Sequence, residues 1–224
     1  MRLLHILFFI SFINNLFAQD LQEKKIGEFH TLKVFDRIEV ELIKSDTNKL
    51  FVNSEFDDKL DIINKNGILK IRTDFDNLLG GQDIKILLHY NSIDIIDVNE
   101  GGEVHSKEII DQFELELNTQ EGGVIDLTID TKLVNIKSFT GGEVKLSGKS
   151  KKINITVNTG GNCDAKDLIS QDSKTTILTG GEIEINSSNS NTSKITGGGN
   201  IYVYGNPKNI DKKTTFGGKI HIVK

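Results

Sequence analysis

Three glutamates occupy one position of a sequence repeat, which makes them the first candidates for acid–base chemistry. Glu103, Glu143 and Glu182 each directly follow a Gly-Gly doublet. Glycoside hydrolysis uses two carboxylates about 5 to 10 Å apart, and a row of carboxylate oxygens can also bind Ca²⁺. An exposed corner would carry the same residues without any chemistry, and we favour this interpretation. The row supports a hypothesis for a polysaccharide lyase or hydrolase, but we assign no catalytic residue.

The histidines and the single cysteine form no recognisable ligand or nucleophile pattern. Cys163 stands where other repeats carry valine or isoleucine, which predicts a buried and unreactive thiol. A single cysteine also excludes an internal disulfide. The histidines are dispersed and lack HxxxH spacing, so we expect neither a metal nor a cofactor. They are His5, His30, His89, His105 and His221.

A doubled glycine that returns about every twenty residues organises the chain. The doublets begin at residues 80, 101, 122, 141, 160, 180, 198 and 217, so that their intervals lie between 18 and 21 residues. Such a period indicates stacked supersecondary units. Glycine adopts positive φ without a Cβ penalty. We therefore interpret the doublet as a tight bend in every unit and expect positive φ at Gly142.

Apolar and polar residues alternate on both sides of the doublet, as in half-buried strands. Each unit has too few apolar side chains for a core of its own, so its short strands must pair with those of the next unit in a parallel β-solenoid. Inward residues such as Leu117, Ile136 and Ile155 precede the doublets. Two further inward ladders follow them: Val104, Ile125, Val144, Cys163, Ile183, Ile201 and Ile220, and then Ser106, Leu127, Leu146, Ala165, Ile185, Val203 and Ile222.

These patterns predict an all-β, single-domain parallel β-helix, or β-solenoid, with coils of about 20 residues. Residues 99–224 form its regular Gly-Gly coils, and residues 19–98 form irregular β coils and a cap that are continuous with them. Within the cap, Asn66-Gly67 indicates either a hairpin or a solenoid corner. The last coil must end in an open strand edge, which the lysines near the C-terminus blunt. They are Lys212, Lys213, Lys219 and Lys224.

Residues 1–18 are predicted to be a secretory signal peptide. Arg2 supplies the positive charge, residues 3–12 the apolar run, and Ala18 the small residue at the cleavage site. The run is too short to span a membrane, so we expect cleavage and no membrane insertion of the mature chain. The net charge of −5 mixes both signs, so we do not expect nucleic acid or anionic membrane as partners.

The order of apolar, glycine and asparagine positions resembles the head GIN domain family of auto-transporter adhesins. The resemblance extends over residues 28–224 and implies an exported, right-handed β-helix in a Gram-negative envelope. It implies no functional residue. The segments that carry it are Leu32–Val34, Ile38–Leu42, Asn66–Ile71, Ile84–Ile86 and Ile95–Gly102.

Two functions remain open at this point. The first is a non-catalytic, adhesin-like module that binds an unknown protein or glycan from the periplasm or the cell surface, or after secretion. The second is a carbohydrate-active enzyme that uses the carboxylate row. Uniform coils leave no long loop to wall a substrate groove, so we favour the first. The oligomeric state is left open.

Overall fold

The computed structural model describes residues 21–74 and 84–223. Strands make up 72% of it and form a β-solenoid of about seven turns with 19-residue coils. The predicted all-β solenoid is therefore confirmed. The predicted signal peptide, residues 1–18, and the first doublet, residues 80–81, lie outside the described residues.

Sixteen strands and one short 3₁₀ helix, Ser54–Lys59, follow one another along the described chain. The strands before the regular repeats are β1 (Leu21–Lys25), β2 (Thr31–Val34), β3 (Glu39–Lys44), β4 (Lys49–Asn53), β5 (Leu60–Lys65), β6 (Ile68–Thr73), β7 (Lys85–Tyr90) and β8 (Ile95–Val98). The strands of the repeats are β9 (Glu103–Thr119), β10 (Val124–Phe139), β11 (Glu143–Asn158), β12 (Asn162–Thr179), β13 (Glu182–Gly197), β14 (Asn200–Tyr204), β15 (Asn209–Thr214) and β16 (Lys219–Ile222).

Strands β9 to β13 each form most of one coil and pair in parallel with the next strand. Val144 pairs with Ile125 on one side and with Cys163 on the other, as the ladders predicted. Val144 and Ile183 are fully buried, whereas Lys145 is exposed, so the predicted register is confirmed. The short separate strands predicted for each unit are instead continuous. Each coil bends at a second corner, about midway between two Gly-Gly corners, and the pairing continues through it, with register shifts in three of the four strand pairs.

In the coils whose doublets begin at residues 101, 122, 141 and 160, the Gly-Gly corner is a tight turn whose left-handed residues begin one position earlier than predicted. In the doublets that begin at residues 180, 198 and 217, both glycines have positive φ, as predicted. Thr140 and Gly141 have φ of 48° and 73°, and the Gly142 amide donates to the Phe139 carbonyl at 2.9 Å. Positive φ at the two central residues is the pattern of a type I′ turn. The prediction of positive φ at Gly142 is wrong. A Cβ at Gly142 would lie 2.6 Å from Oγ1 of Thr119 in the preceding coil, so this glycine permits close stacking.

The N-terminal end of the solenoid contains antiparallel pairs that the repeats lack. β3 pairs in parallel with both β7 and β9, and β4 then runs antiparallel to β7 and to β1. β5 and β6 form an antiparallel hairpin whose turn residues, Asn66 and Gly67, have φ of 53° and 75°. The hairpin is therefore the correct interpretation of this Asn-Gly pair.

The interior changes along the solenoid axis. On the wall that precedes the Gly-Gly corner, one inward ladder runs through Leu115, Val134 and Ile153 and continues as Ser173 and Asn191. All five side chains are buried. The next inward ladder changes in the same way, from Leu117, Ile136 and Ile155 to Thr175 and Ser193.

Candidate binding groove

The three glutamates form the predicted row but do not meet in a cleft. Their register partners alternate as Glu103, Val124, Glu143, Asn162 and Glu182 along five successive strands. Two interstrand spacings separate each glutamate from the next, or about 9 to 10 Å. Glu103 and Glu143 are exposed, and none of the three lines the clefts described below.

Glu39 is the one acidic neighbour of this row that sequence reasoning missed. It pairs directly with Glu103, and its carboxylate binds Lys85 at 2.6 Å. Glu39 and Glu103 are 64 positions apart, and Glu39 lies in an irregular early coil, so the repeat interval does not relate them. The ion pair with Lys85 offsets the repulsion between two like charges in adjacent strands.

The four described histidines lie in separate environments. His30 Nδ1 lies 3.0 Å from Thr31 Oγ1, and the His89 ring lies edge-on to Phe51 with centroids 5.3 Å apart. His221 stacks on Tyr202 at 4.7 Å. Among residues 21–74 and 84–223, no group of three or more His, Cys, Asp or Glu is placed to hold a metal ion.

His105 is more buried than its outward position suggests. Its side chain is 23% exposed, and Nε2 lies 3.8 Å from Glu41 and 4.0 Å from Glu39. Lys107 binds Glu41 at 2.7 Å, and this hydrogen bond is the main reason that the pKa of Glu41 lies below its usual value. The sequence pattern places the ring outward correctly, but it does not reveal the two carboxylates on β3.

Cys163 lies inside the first ladder, between Val144 and Ile183. It is fully buried, and burial raises the pKa of its thiol. A buried, protonated thiol is a poor nucleophile. The structure thus places this side chain among the core residues, as the sequence predicts.

A cleft of about 460 Å³ opens at the second corner of strands β10 to β13, and we call it the side groove. Bulges shape this corner: β12 gains residues relative to β11 after Asp164, and its register with β13 shifts between Ala165 and Ile169. Ile169 lines the groove and is 62% exposed. The irregular corner therefore builds a concave surface that uniform coils alone would not provide.

The side groove is lined by hydroxyl and ammonium groups. Thr131 donates to Ser150 at 2.9 Å, and Ser188 donates to the Ser170 carbonyl at 3.0 Å. These groups thus have partners within the protein. The charged lining is Lys132, Lys149, Lys151 and Asp130.

Three lysines face one aspartate in this lining, so the side groove is electropositive. Asp130 binds Lys149 at 2.8 Å, and that hydrogen bond raises the pKa of Lys149. Lys132 and Lys151 form no salt bridge within the described part of the chain. Their two ammonium groups are therefore available to an anionic ligand.

An exposed aromatic ring lies beside Lys132, outside the side groove, in a neighbouring cleft that is also lined by Glu114 and Glu116. Gln112 pairs with Thr131 and Glu114 with Leu133, which sets Phe113 opposite Lys132. In the next two strand pairs, the paired residues on either side likewise set Lys132 opposite Lys151 and Lys151 opposite Gln171. We call Phe113, Lys132, Lys151 and Gln171 the corner row. Phe113 is 74% exposed.

Sequence reasoning missed the corner row, although a signal for it exists. Phe113, Lys132 and Lys151 recur at intervals of 19 residues, which is the coil length. Their position midway between two doublets shows no apolar alternation, and the bulges shift Gln171 by one residue. An alignment by coil length rather than by glycine doublet would have placed the first three together.

The stacked coils define a β-solenoid domain with a groove on one wall. The chain belongs to the family described as "putative auto-transporter adhesin, head GIN domain", whose model matches residues 28–207. The resemblance found in the sequence is thus confirmed. Comparison with curated proteins gives no match.

Solved structures with the same fold come from Bacteroides and Parabacteroides species. A putative adhesin from Bacteroides fragilis NCTC 9343 is 18% identical with a TM-score of 0.80, over 91% of this chain and 96% of that one. A putative lipid binding protein from Parabacteroides distasonis ATCC 8503 is 19% identical with a TM-score of 0.67, over 91% and 96%. A putative adhesin from Parabacteroides merdae ATCC 43184 is 12% identical with a TM-score of 0.69, over 91% and 95%. At these identities the similarity establishes the fold.

Proposed function

We propose that this protein is an exported, non-catalytic, adhesin-like module that binds an acidic glycan along the side groove. The corner row is the observation that carries the proposal. Phe113 offers an exposed apolar face to a sugar ring. Lys132 and Lys151 lie on the next two strands and can bind carboxylate or sulfate groups.

The family and the fold support a binding role. The family and two of the structural relatives carry the description of putative adhesins. Solenoids present extended surfaces of stacked side chains, which suit a polymeric ligand. Within residues 21–74 and 84–223, no helix has the length and apolar character that crossing a membrane requires. We propose the periplasm, the cell surface or the extracellular medium as the location.

The alternative function is a polysaccharide lyase or hydrolase that uses Glu103, Glu143 and Glu182. A hydrolase of this kind would place two carboxylates on one bound sugar. The side groove instead contains a single carboxylate, Asp130, which already binds Lys149. The arrangement of charges thus favours binding over turnover.

A glycan array tests the proposal. Residues 19–224 should bind uronate-containing or sulfated oligosaccharides and leave the neutral ones unbound. Lys151→Glu should weaken binding at least tenfold, or by about 1.4 kcal/mol, because it places a negative charge in the middle of the corner row. Phe113→Ala should weaken binding of the same glycans through loss of the stacking surface.

Lys174→Glu is the matched control, because Lys174 is an exposed lysine on another wall of the solenoid. Equal weakening by the two charge reversals would reduce the effect to net charge and contradict the proposal. Binding to a protein array alone, with no glycan bound, would assign the module to protein ligands. New reducing ends or unsaturated products that disappear in a folded Glu143→Gln variant would establish the enzyme instead.

A further inference from the structure

The C-terminal coil has a neighbour on one side only. Among the described residues β15 pairs with β13 and β16 pairs with β14, and neither strand has a second partner. All six residues of β15 are exposed. The free edge presents backbone N–H and C=O groups that another strand can pair with.

Side chains that belong to inward ladders are uncovered at this end. Ile210 continues the ladder of Ile153, Ser173 and Asn191, yet it is 39% exposed because no described strand packs on its other side. Phe216, between β15 and β16, is 82% exposed. A cleft of about 450 Å³ lies here between the two strands, with Thr214 on one side and Ile220 on the other. An added strand would therefore find both a backbone edge and apolar surface.

The same end is strongly basic. Asp211 is the only acidic residue between residues 191 and 223. None of the nearby lysines forms a salt bridge within the described part of the chain. Lys212 even occupies an inward position, in register with Ser193 and Thr175. The lysines are Lys194, Lys208, Lys212, Lys213 and Lys219.

We propose that β15 is a docking edge for an extended acidic segment of a partner polypeptide. The segment pairs with β15 as a next coil would, which is the β-augmentation mode of peptide recognition. One apolar side chain covers Ile210, and carboxylates lie opposite Lys212 and Lys213. Opposite charges in directly paired positions stabilise the pair, whereas like charges destabilise it.

Charge also argues against a second copy of this end as the occupant. Two C-terminal coils that met edge to edge would bring Lys212 and Lys213 of one copy close to the same residues of the other. The lysines thus discourage self-association while they favour an acidic strand, which is how an edge acquires specificity.

Fluorescence anisotropy with a synthetic peptide tests the docking edge. The probe is the eight-residue peptide Thr-Thr-Ile-Thr-Glu-Glu-Thr-Thr, with both termini blocked, which in parallel register sets isoleucine opposite Ile210 and glutamates opposite Lys212 and Lys213. The control peptide carries lysine in place of both glutamates. Residues 19–224 should bind the acidic peptide and not the basic one. The double variant Lys212→Glu, Lys213→Glu should weaken binding at least tenfold. Hydrogen exchange of the amides of residues 209–214 should slow when the acidic peptide binds.

Three results would overturn the proposal. The first is that neither peptide binds or that both bind equally. The second is that the double variant binds as well as the native chain, or that the amides of β15 remain unprotected. The third is self-association of the native chain, seen by sedimentation velocity, that protects β15 without peptide, since a second copy would then occupy the edge. Lys151→Glu should leave peptide binding unchanged, which separates this edge from the side groove.

Discussion

The first and second halves of the solenoid have the same backbone architecture but differ in the side chains of their interiors. In β9 to β11 the ladder before the Gly-Gly corner is aliphatic, with Leu115, Val134 and Ile153. In β12 and β13 the same ladder consists of Ser173 and Asn191, which are equally buried. The fold therefore does not depend on an apolar residue at every inward position. Strand pairing and the repeated corner set the architecture, and the ladders fill it.

The polar half is stable because its buried groups bond to one another across the coils. Asn191 donates to Ser173 at 2.8 Å, and Ser193 donates to the Asn191 side-chain oxygen at 2.7 Å. Thr175 and Ser193 share a further hydrogen bond at 2.8 Å. Buried polar groups are tolerated when they have partners. The stacking places short polar side chains near hydrogen-bond distance, so polar ladders suit this fold.

The largest effect is expected from truncation in the aliphatic half. Ile153→Ala should reduce the free energy of unfolding by about 2 to 5 kcal/mol, because it leaves a cavity between tightly stacked neighbours. The matched variant is Ser173→Ala, one coil further along the same ladder. It should cost less, about 1 to 3 kcal/mol, because it leaves almost no cavity and removes only the acceptor of the Asn191 amide. Urea unfolding measures both. Equal losses would show that the two halves do not differ in how they are stabilised.

A smaller effect is expected in the polar half. Asn191→Ala should cost about 1 to 3 kcal/mol, because the hydroxyls of Ser173 and Ser193 lose a buried partner. Replacing the whole network with apolar residues should be nearly neutral, since no polar group is then left without a partner. The quadruple variant is Ser173→Ala, Thr175→Val, Asn191→Leu and Ser193→Ala. If this variant were less stable than Asn191→Ala, hydrogen bonding alone would not explain the polar interior.

The apolar ladders could be predicted from the sequence in both halves, and the polar stretch of the ladder could not. A fixed repeat converts a local pattern into long-range pairs, so that Val144 and Cys163 could be placed in one ladder from their position after the doublet. Ser173 and Asn191 occupy equivalent inward positions, but polar residues in a strand are ordinarily interpreted as exposed. Their burial depends on partners in the next coil, which no local pattern contains.

Irregularities limited the prediction of the candidate site. The side groove depends on bulges in β12 and β13, and a bulge changes which residue faces outward without any mark in the composition. The early coils were predicted as irregular, but the corner of the first one was not located, for a related reason. Asp36 and Arg37 hold its two left-handed positions, with φ of 58° and 60°, whereas the repeats have a glycine at the second of these positions. A search for doublets therefore does not detect it.

The smallest effect concerns the Gly-Gly corner, whose first left-handed residue also changes along the solenoid. The first left-handed residue of the turn is Asp36, Glu100 or Glu121 in the early coils and Thr140 or Thr159 in later ones. The pKa of Glu100 is raised above 4.5, first by a hydrogen bond with Asp36, then by burial and by the negative charges of Asp36 and Glu121. Acidic residues stacked at one corner thus make Glu100 harder to ionise than a free glutamate.

Because the folded pKa lies above the unfolded value, the folded state binds this proton more tightly. The resulting stability is complete below about pH 4.5 and is lost as the pH rises through the folded pKa. Glu100→Gln removes the charge and keeps a donor for Asp36, so it should raise Tm at about pH 7 and change it little at about pH 4. Glu143→Gln, an exposed residue on the post-corner wall, controls for net charge. If the increase in Tm were independent of pH, or if Glu143→Gln gave the same increase, ionisation of Glu100 at this corner would not be what destabilises the fold at neutral pH.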